Sequence, residues 1–281
     1  MKKLLASGCS WTDANFKSVC EFLPDEIRGG WPMWPELIGK ELGLEVINTG
    51  FCGKGNTYIG QSIIDNIIKY GNEVEMVAVL WTETSRYDVY NETAINLHEH
   101  RKHDPRWSQI DLGLHASYNN PFSWDIADFV FNDVYNTWNN NTLRAMYTVA
   151  EMCAHRNIKC IFDQGVVFFW HAELEDIKSL IHRDMFISEL DYMTMLENSE
   201  LYQRLMKDYG HLFIDPKVIL NFEHTIGYLI HKRDDLKVYL PDHLTTMTVE
   251  DYNNAKEIDP HPNGEGQKVI SERYLQALNV S

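Results

Sequence analysis

Long apolar runs are missing from this chain, and none approaches the ~18 uninterrupted apolar residues of a membrane-spanning helix. The apolar stretch after the two N-terminal lysines, Leu4–Ala6, is also far shorter than the roughly 7–15 residues of a signal-peptide core. We therefore expect no export signal, and a protein of the cytoplasm.

Cysteine is scarce, and its spacing is uninformative. The chain has five cysteines among 281 residues, and no two of them have the C-x-x-C spacing. An odd count without such pairs predicts neither a disulfide framework nor a zinc knuckle. A reducing compartment fits this pattern best.

Basic residues are few relative to acidic ones. The chain carries 25 Lys and Arg against 41 Asp and Glu, for a formal charge of −16. Such a surface repels phosphate backbones and anionic lipids, so neither a nucleic-acid partner nor a membrane surface is expected. Hydrophobic residues make up 44% of the chain, which predicts a packed globular protein.

Short apolar runs alternate with longer helical patterns, as in a parallel sheet covered by helices. The predicted strands are Leu4–Ala6, Glu45–Asn48, Met76–Trp81, Lys159–Asp163 and Leu212–Ile214. The predicted helices are Pro35–Leu42, Asn56–Tyr70 (with Asn56 as its cap), Asn141–Arg156, Leu174–His182, Glu197–Asp208 and Gly266–Leu278. The fold class is thus α/β, a three-layer α/β/α sandwich with a five-stranded parallel sheet. We expect one domain over 1–281, with irregular insertions at about 86–138 and 217–257.

Three polar blocks occupy positions where a parallel sheet binds its ligands. Ligands of such sheets lie beyond the carboxyl ends of the strands. Gly8-Cys9-Ser10-Trp11-Thr12 follows the first strand, and Asn48-Thr49-Gly50-Phe51-Cys52-Gly53 follows the second. Asp259-Pro260-His261-Pro262 comes just before the last helix. The first two blocks should therefore share one cleft.

These blocks resemble those of SGNH (GDSL-like) serine hydrolases, and the stretch from Trp31 to Leu42 more weakly resembles phage-encoded members. The resemblance implies a flavodoxin-like fold, Ser10 as the nucleophile, and Asp259 and His261 as its base partners. It also implies backbone N–H groups of Ser10 and Gly53 as oxyanion donors. A virion component is then the alternative to a cytoplasmic enzyme.

The chemistry of these residue types supports the same roles. A serine hydroxyl is a poor nucleophile until an imidazole takes its proton, and a carboxylate fixes the tautomer of that imidazole. Asp259 and His261 are two residues apart and lie between prolines, so one short loop can present both side chains. The alternative is that all three residues belong to ordinary turns and have no catalytic role.

One block departs from the family pattern. SGNH proteins usually carry an asparagine after the third strand, but here the segment reads Leu80-Trp81-Thr82-Glu83-Thr84-Ser85-Arg86. We expect Thr82 to replace the missing oxyanion donor, with Arg86 as the next candidate.

Aromatic residues near the predicted strand ends suggest the ligand. Trp11, Trp81 and Trp170 follow or end predicted strands, where they either stack on sugar rings or pack loops against the sheet. With Arg86 they form the predicted substrate-binding set. The histidine-rich segment from His98 to Asp104, which includes His100 and His103, lacks a second ligand set, so no metal site is predicted.

The sequence thus predicts a serine esterase that acts through an acyl-enzyme, without a cofactor, on a small-molecule or glycan ester such as an O-acylated carbohydrate. The competing hypothesis is a non-catalytic glycan-binding or virion structural module on the same fold. The missing asparagine favours that alternative, and the joint presence of Ser10, Asp259 and His261 disfavours it.

Overall fold

The computed structural model describes residues 1–18, 24–82, 86–90, 107–111, 140–165, 199–214, 220, 222–232 and 261–280. The predicted helix Leu174–His182 and most of both predicted insertions lie outside these residues.

A parallel four-stranded sheet forms the centre of the described fold. Its strands are β1 (Lys3–Gly8), β2 (Glu45–Asn48), β3 (Val74–Trp81) and β6 (Lys159–Gln164), in the order β2-β1-β3-β6. Every neighbouring pair is parallel. This is the order of doubly wound sheets of the flavodoxin type, so the α/β prediction is confirmed.

The predicted fifth strand does not form among the described residues. The run Leu212–Ile214 does lie beside β6, but it makes a single parallel bridge between Phe213 and Phe162. The Ile214 N–H donates to the Phe162 carbonyl at 2.9 Å. Residues Gly210–Leu212 form a 3₁₀ turn that takes up the start of the apolar run, so only Phe213 and Ile214 of the predicted strand remain to pair with β6 among the described residues.

Helices cover both faces of the sheet. They are α1 (Asp25–Arg28), α2 (Trp34–Leu42), α3 (Asn56–Tyr70), α4 (described over 140–155), α5 (Glu200–Tyr209), α6 (Ile226–His231) and α7 (Gly264–Val280). Alternate strand residues point to opposite faces. Leu5 and Val77 pack against α3, α4 and α5, whereas Leu4 and Met76 pack against α2 and α7. The three-layer arrangement is therefore confirmed.

Both predicted insertions contain regular structure within their described parts. In the first, β4 (Arg86–Tyr90) pairs antiparallel with β5 (Trp107–Asp111) as a separate two-stranded sheet. In the second, Phe222–His224 is a 3₁₀ turn that leads into α6.

A buried ion pair fastens α7 to the end of β6. The Arg273 guanidinium donates to the Asp163 carboxylate from Nε at 2.9 Å and from Nη2 at 3.1 Å, and Asp163 is fully buried. The next residue, Tyr274, donates its hydroxyl to the Val79 carbonyl at 2.8 Å and stacks on Trp34. Burial raises the pKa of the Tyr274 phenol, which keeps it a donor. Two polar anchors therefore fix the helix that follows His261.

Replacing Arg273 by leucine should lower the free energy of unfolding by about 3–5 kcal/mol, because the buried Asp163 carboxylate would lose the positive charge and the two hydrogen bonds of Arg273. Urea denaturation measures this change. The matched control is Lys268→Ala on the same helix, which breaks an exposed ion pair with Glu265 at 2.7 Å and should cost below about 1 kcal/mol. Equal losses for the two variants would contradict this account of the anchor.

Candidate active site

The chain turns sharply after β1 and places Ser10 at the carboxyl edge of the sheet. The N–H groups of Thr12 and Asp13 both donate to the Cys9 carbonyl, at 2.9 and 3.2 Å. Ser10 sits at the bend, and only 4% of its surface is exposed. The hydroxyl oxygen of Ser10 lies 3.9 Å from the Cys9 sulfur. We call residues 8–13 the nucleophile turn.

Thr12 explains why glycine stands at two positions of the sequence blocks. A Cβ atom at Gly8 would lie 2.1 Å from Thr12 Oγ1, and one at Gly50 would lie 2.6 Å from Thr12 Cβ. The side chain of Thr12 is buried between the two glycines and accepts a hydrogen bond from Trp34 Nε1 at 3.1 Å. Both positions thus need glycine so that the nucleophile turn and the loop after β2 can approach each other closely.

Asn48 ties the loop after β2 to the nucleophile turn. Its Oδ1 accepts the Gly50 N–H at 2.9 Å, and its Nδ2 donates to the Thr12 carbonyl at 2.7 Å. Nδ2 also donates to Glu36 Oε1 at 3.1 Å, and burial raises the pKa of that carboxyl. The asparagine of the second block therefore has a structural role.

A four-residue turn carries the predicted oxyanion donor Gly53. The Lys54 N–H donates to the Phe51 carbonyl at 3.2 Å, and Gly53 has a φ of 80°, in the left-handed region that favours glycine. The Cys52 N–H donates to Asp13 Oδ2 at 3.0 Å. Of the described backbone carbonyls, none accepts the Gly53 N–H. We call Phe51–Lys54 the glycine turn.

His261 lies directly against Ser10. Its Nε2 is 2.9 Å from Ser10 Oγ, although the two residues are 251 positions apart in the chain. Its ring stacks on Phe16 with centroids 4.4 Å apart and an interplanar angle of 27°. The predicted serine and histidine are thus within hydrogen-bonding distance in the folded chain.

The start of α7 holds His261 in place through two polar side chains that the sequence interpretation missed. Asn263 caps the helix by accepting the N–H groups of Glu265 and Gly266, at 2.9 and 3.0 Å. Gln267 is fully buried and bridges the Trp11 carbonyl and the Trp34 N–H, at 3.1 and 2.9 Å. An Asn just before a glycine-rich helix start is a recognisable cap signal, whereas the contacts of Gln267 are long-range.

Thr82 lies at the carboxyl edge, just beyond the end of β3, and is fully buried. Its N–H donates to Asn56 Oδ1 at 3.0 Å, and its carbonyl accepts from Asn56 Nδ2 at 2.9 Å. Asn56 Nδ2 also donates to Thr142 Oγ1 at 3.3 Å. The predicted cap residue Asn56 is therefore the first residue of α3, with Gly55 at the cap position, and its amide clamps the strand end.

The remaining predicted site residues are divided between the core, the cleft edge and the undescribed segments. Trp81 is fully buried and packs edge-on against Phe162 at 5.3 Å, so its faces are not open for stacking on a sugar ring. Trp11, beside Ser10, is partly exposed. Asp259, Trp170, the side chain of Arg86 and the histidines of the His98–Asp104 segment lie outside the described residues.

Comparisons with known proteins give distant structural matches only. No protein-family model and no curated protein matches the chain. Among solved structures it is similar to Axe2, an acetylxylan esterase from Geobacillus stearothermophilus, at 15% identity over 99% of this chain and 94% of that one, with a TM-score of 0.44. A second is LAE5, an alpha/beta hydrolase enzyme from the metagenome of Lake Arreo, at 15% identity over 99% and 95%, with a TM-score of 0.43.

A third match is a candidate lipolytic protein of the G-D-S-L family from Desulfitobacterium hafniense, at 12% identity over 99% of both chains, with a TM-score of 0.40. Similarity this low carries no conclusion about activity, so function has to be inferred from the chain's own residues. Within the described ranges, no helix is long and apolar enough to cross a membrane.

Proposed function

We propose that this chain is a serine esterase with Ser10 as the nucleophile and His261 as the general base. The observation that carries the proposal is the 2.9 Å separation of Ser10 Oγ and His261 Nε2, since a base must reach the proton it removes. Asp259, two residues before His261, is proposed to orient the imidazole.

In the proposed reaction, His261 Nε2 takes the Ser10 proton while Oγ attacks the ester carbonyl. Collapse of the tetrahedral intermediate breaks the bond to the alcohol, which leaves with the proton from His261. Water, deprotonated by the same imidazole, then cleaves the acyl-Ser10 ester and restores the free hydroxyl.

The oxyanion is proposed to be held by the N–H groups of Ser10 and Gly53. A preorganised donor of this kind contributes about 3–4 kcal/mol to transition-state stability. Thr82, which is buried just beyond the end of β3, is the proposed third donor, and Arg86 is the next candidate. Neither Nδ2 hydrogen of Asn56 is available for this purpose, because Thr82 and Thr142 accept them.

The proposed substrate class is an O-acyl ester of a carbohydrate. Two partly exposed tryptophans support it. Trp11 directly follows Ser10, and Trp31 lies against the backbone of Gly264, three residues after His261. Indole rings stack well on the apolar faces of sugars. Trp170 is proposed to join them, whereas the buried Trp81 is not.

A glycan-binding module without catalysis is the second candidate. The absence of an asparagine after β3, together with the occupied amide of Asn56, favours it. The two candidates differ in whether Ser10 is an activated nucleophile.

Incubation with a fluorophosphonate probe tests the proposal, because this reagent phosphonylates a serine only where a neighbouring base activates it. Peptide mapping by mass spectrometry should place the label on Ser10 in the wild type and in Cys9→Ala, and Ser10→Ala should stay unlabelled. An unlabelled wild type, or a label on another residue, would favour the binding module.

A further inference from the structure

We propose that Asp13 is a positioning residue that sets the direction of the Gly53 N–H. The inference rests on the proposed function, since it assigns Asp13 to the oxyanion site of the same esterase. Asp13 touches neither Ser10 nor the substrate in this proposal and acts through the glycine turn.

The contacts of the Asp13 carboxylate link the two loops of the site. Asp13 lies in the nucleophile turn, three residues after Ser10, and only 4% of its surface is exposed. Oδ1 accepts the Asn15 N–H at 2.8 Å, and Oδ2 accepts the Cys52 N–H at 3.0 Å. A single side chain thus fixes the residue just before Gly53 relative to the turn that carries the nucleophile.

The geometry of the glycine turn makes this contact important. The Lys54-to-Phe51 hydrogen bond defines a β-turn with Cys52 and Gly53 as its central residues. Gly53 has a φ of 80°, whereas Cys52 does not have a positive φ. A hydrogen-bonded turn with a positive φ at the second central residue alone has the pattern of a type II turn.

Turn type decides where the proposed donor points. Types I and II differ by a rotation of the central peptide through roughly half a turn, and here that peptide contains the Gly53 N–H. A switch to type I would direct this N–H to the opposite side of the loop. Asp13 accepts the Cys52 N–H and so fixes the backbone nitrogen of Cys52, the residue whose carbonyl belongs to the central peptide.

A carboxylate suits this position better than an amide does. An ionised Asp side chain only accepts hydrogen bonds, and here both oxygens accept backbone N–H groups. An asparagine of the same shape would turn its NH₂ group towards one of those donors. Asp13→Asn should therefore break one of the two contacts while preserving side-chain volume.

The test compares Asp13→Asn, Gly53→Ala, their double variant and Gly53→Asn in p-nitrophenyl acetate hydrolysis. Asp13→Asn should lower kcat about 10–100-fold and leave KM nearly unchanged. This loss of kcat should not exceed the loss caused by removing a whole oxyanion donor. Gly53→Ala should lower kcat as well, and Gly53→Asn less so, since asparagine adopts positive φ more readily than alanine.

The double variant separates positioning from a general loss of stability. If Asp13 acts through Gly53, the double variant should lose no more activity than Gly53→Ala alone, because the two changes disable one donor. Ser199→Ala is the control for stability, since it removes the N-terminal cap of α5 outside the site and should lower Tm without lowering kcat.

Unchanged kcat in Asp13→Asn, a change confined to KM, or multiplicative losses in the double variant would overturn the proposal. A crystal structure of Asp13→Asn gives a readout that does not depend on catalysis, and it should show the glycine turn without its positive φ at Gly53. An unaltered turn would overturn the inference on its own. A wild type without hydrolysis or Ser10 labelling would instead refute the proposed function.

Discussion

Replacing Ser10 by alanine should lower kcat for hydrolysis of a short-chain p-nitrophenyl ester by about 10⁴-fold or more, as removal of a triad nucleophile does. The reason is geometric. Ser10 Oγ is 2.9 Å from His261 Nε2 and is held at the bend of a turn that the Cys9 carbonyl fixes, whereas alanine offers no atom to attack the ester. Steady-state kinetics with the purified variant measure the loss.

Two controls accompany this experiment. Cys9→Ala should keep most of the activity, because the neighbouring thiol has no part in the proposed steps. A circular-dichroism melt of Ser10→Ala should match that of the wild type, since the change removes one hydroxyl. Full turnover by a folded Ser10→Ala protein would eliminate the serine mechanism.

Replacing His261 by alanine should cause a loss of similar size, about 10⁴-fold or more in kcat, because without a base Ser10 is again a weak nucleophile. The Ser10→Ala/His261→Ala double variant should be no worse than either single variant, since residues that act as one unit are not additive.

The matched control is His211→Ala, which alters an exposed histidine beside β6 and should leave the rate unchanged. Losses that multiply in the Ser10/His261 double variant would show that the two side chains act independently.

Much of the sheet could be predicted because its strands carry a local signal. The structure confirms Glu45–Asn48 to the residue, and Met76–Trp81 is extended by only two residues. Met76–Trp81 is apolar throughout, as a parallel strand buried on both faces should be, and this pattern stands out between helical segments. The prediction of a fifth strand was wrong, because a three-residue apolar run has the same sequence pattern whether it forms a ladder or a single bridge.

The candidate site was predictable only in part, because several of its residues work through contacts that are distant in sequence. The Ser10 and His261 pair follows from motifs, but nothing local indicates that Asp13 holds Cys52 or that Gln267 bridges Trp11 and Trp34. Asn56 was expected to cap α3, and its amide instead pairs with Thr82 on another element. Where a side chain can form hydrogen bonds either locally or with a remote element, its partner cannot be assigned from sequence spacing alone.

The separation of 251 positions between Ser10 and His261 also bears on how the chain acquires its site. During synthesis β1 and its turn emerge first, whereas the histidine and α7 follow only after most of the chain is made. Long loops must close before such distant contacts form, and chains rich in them fold slowly. Ribosome-bound intermediates would therefore hold Ser10 without His261, so under the proposed mechanism the nucleophilicity of Ser10 would appear only in the final stage of folding.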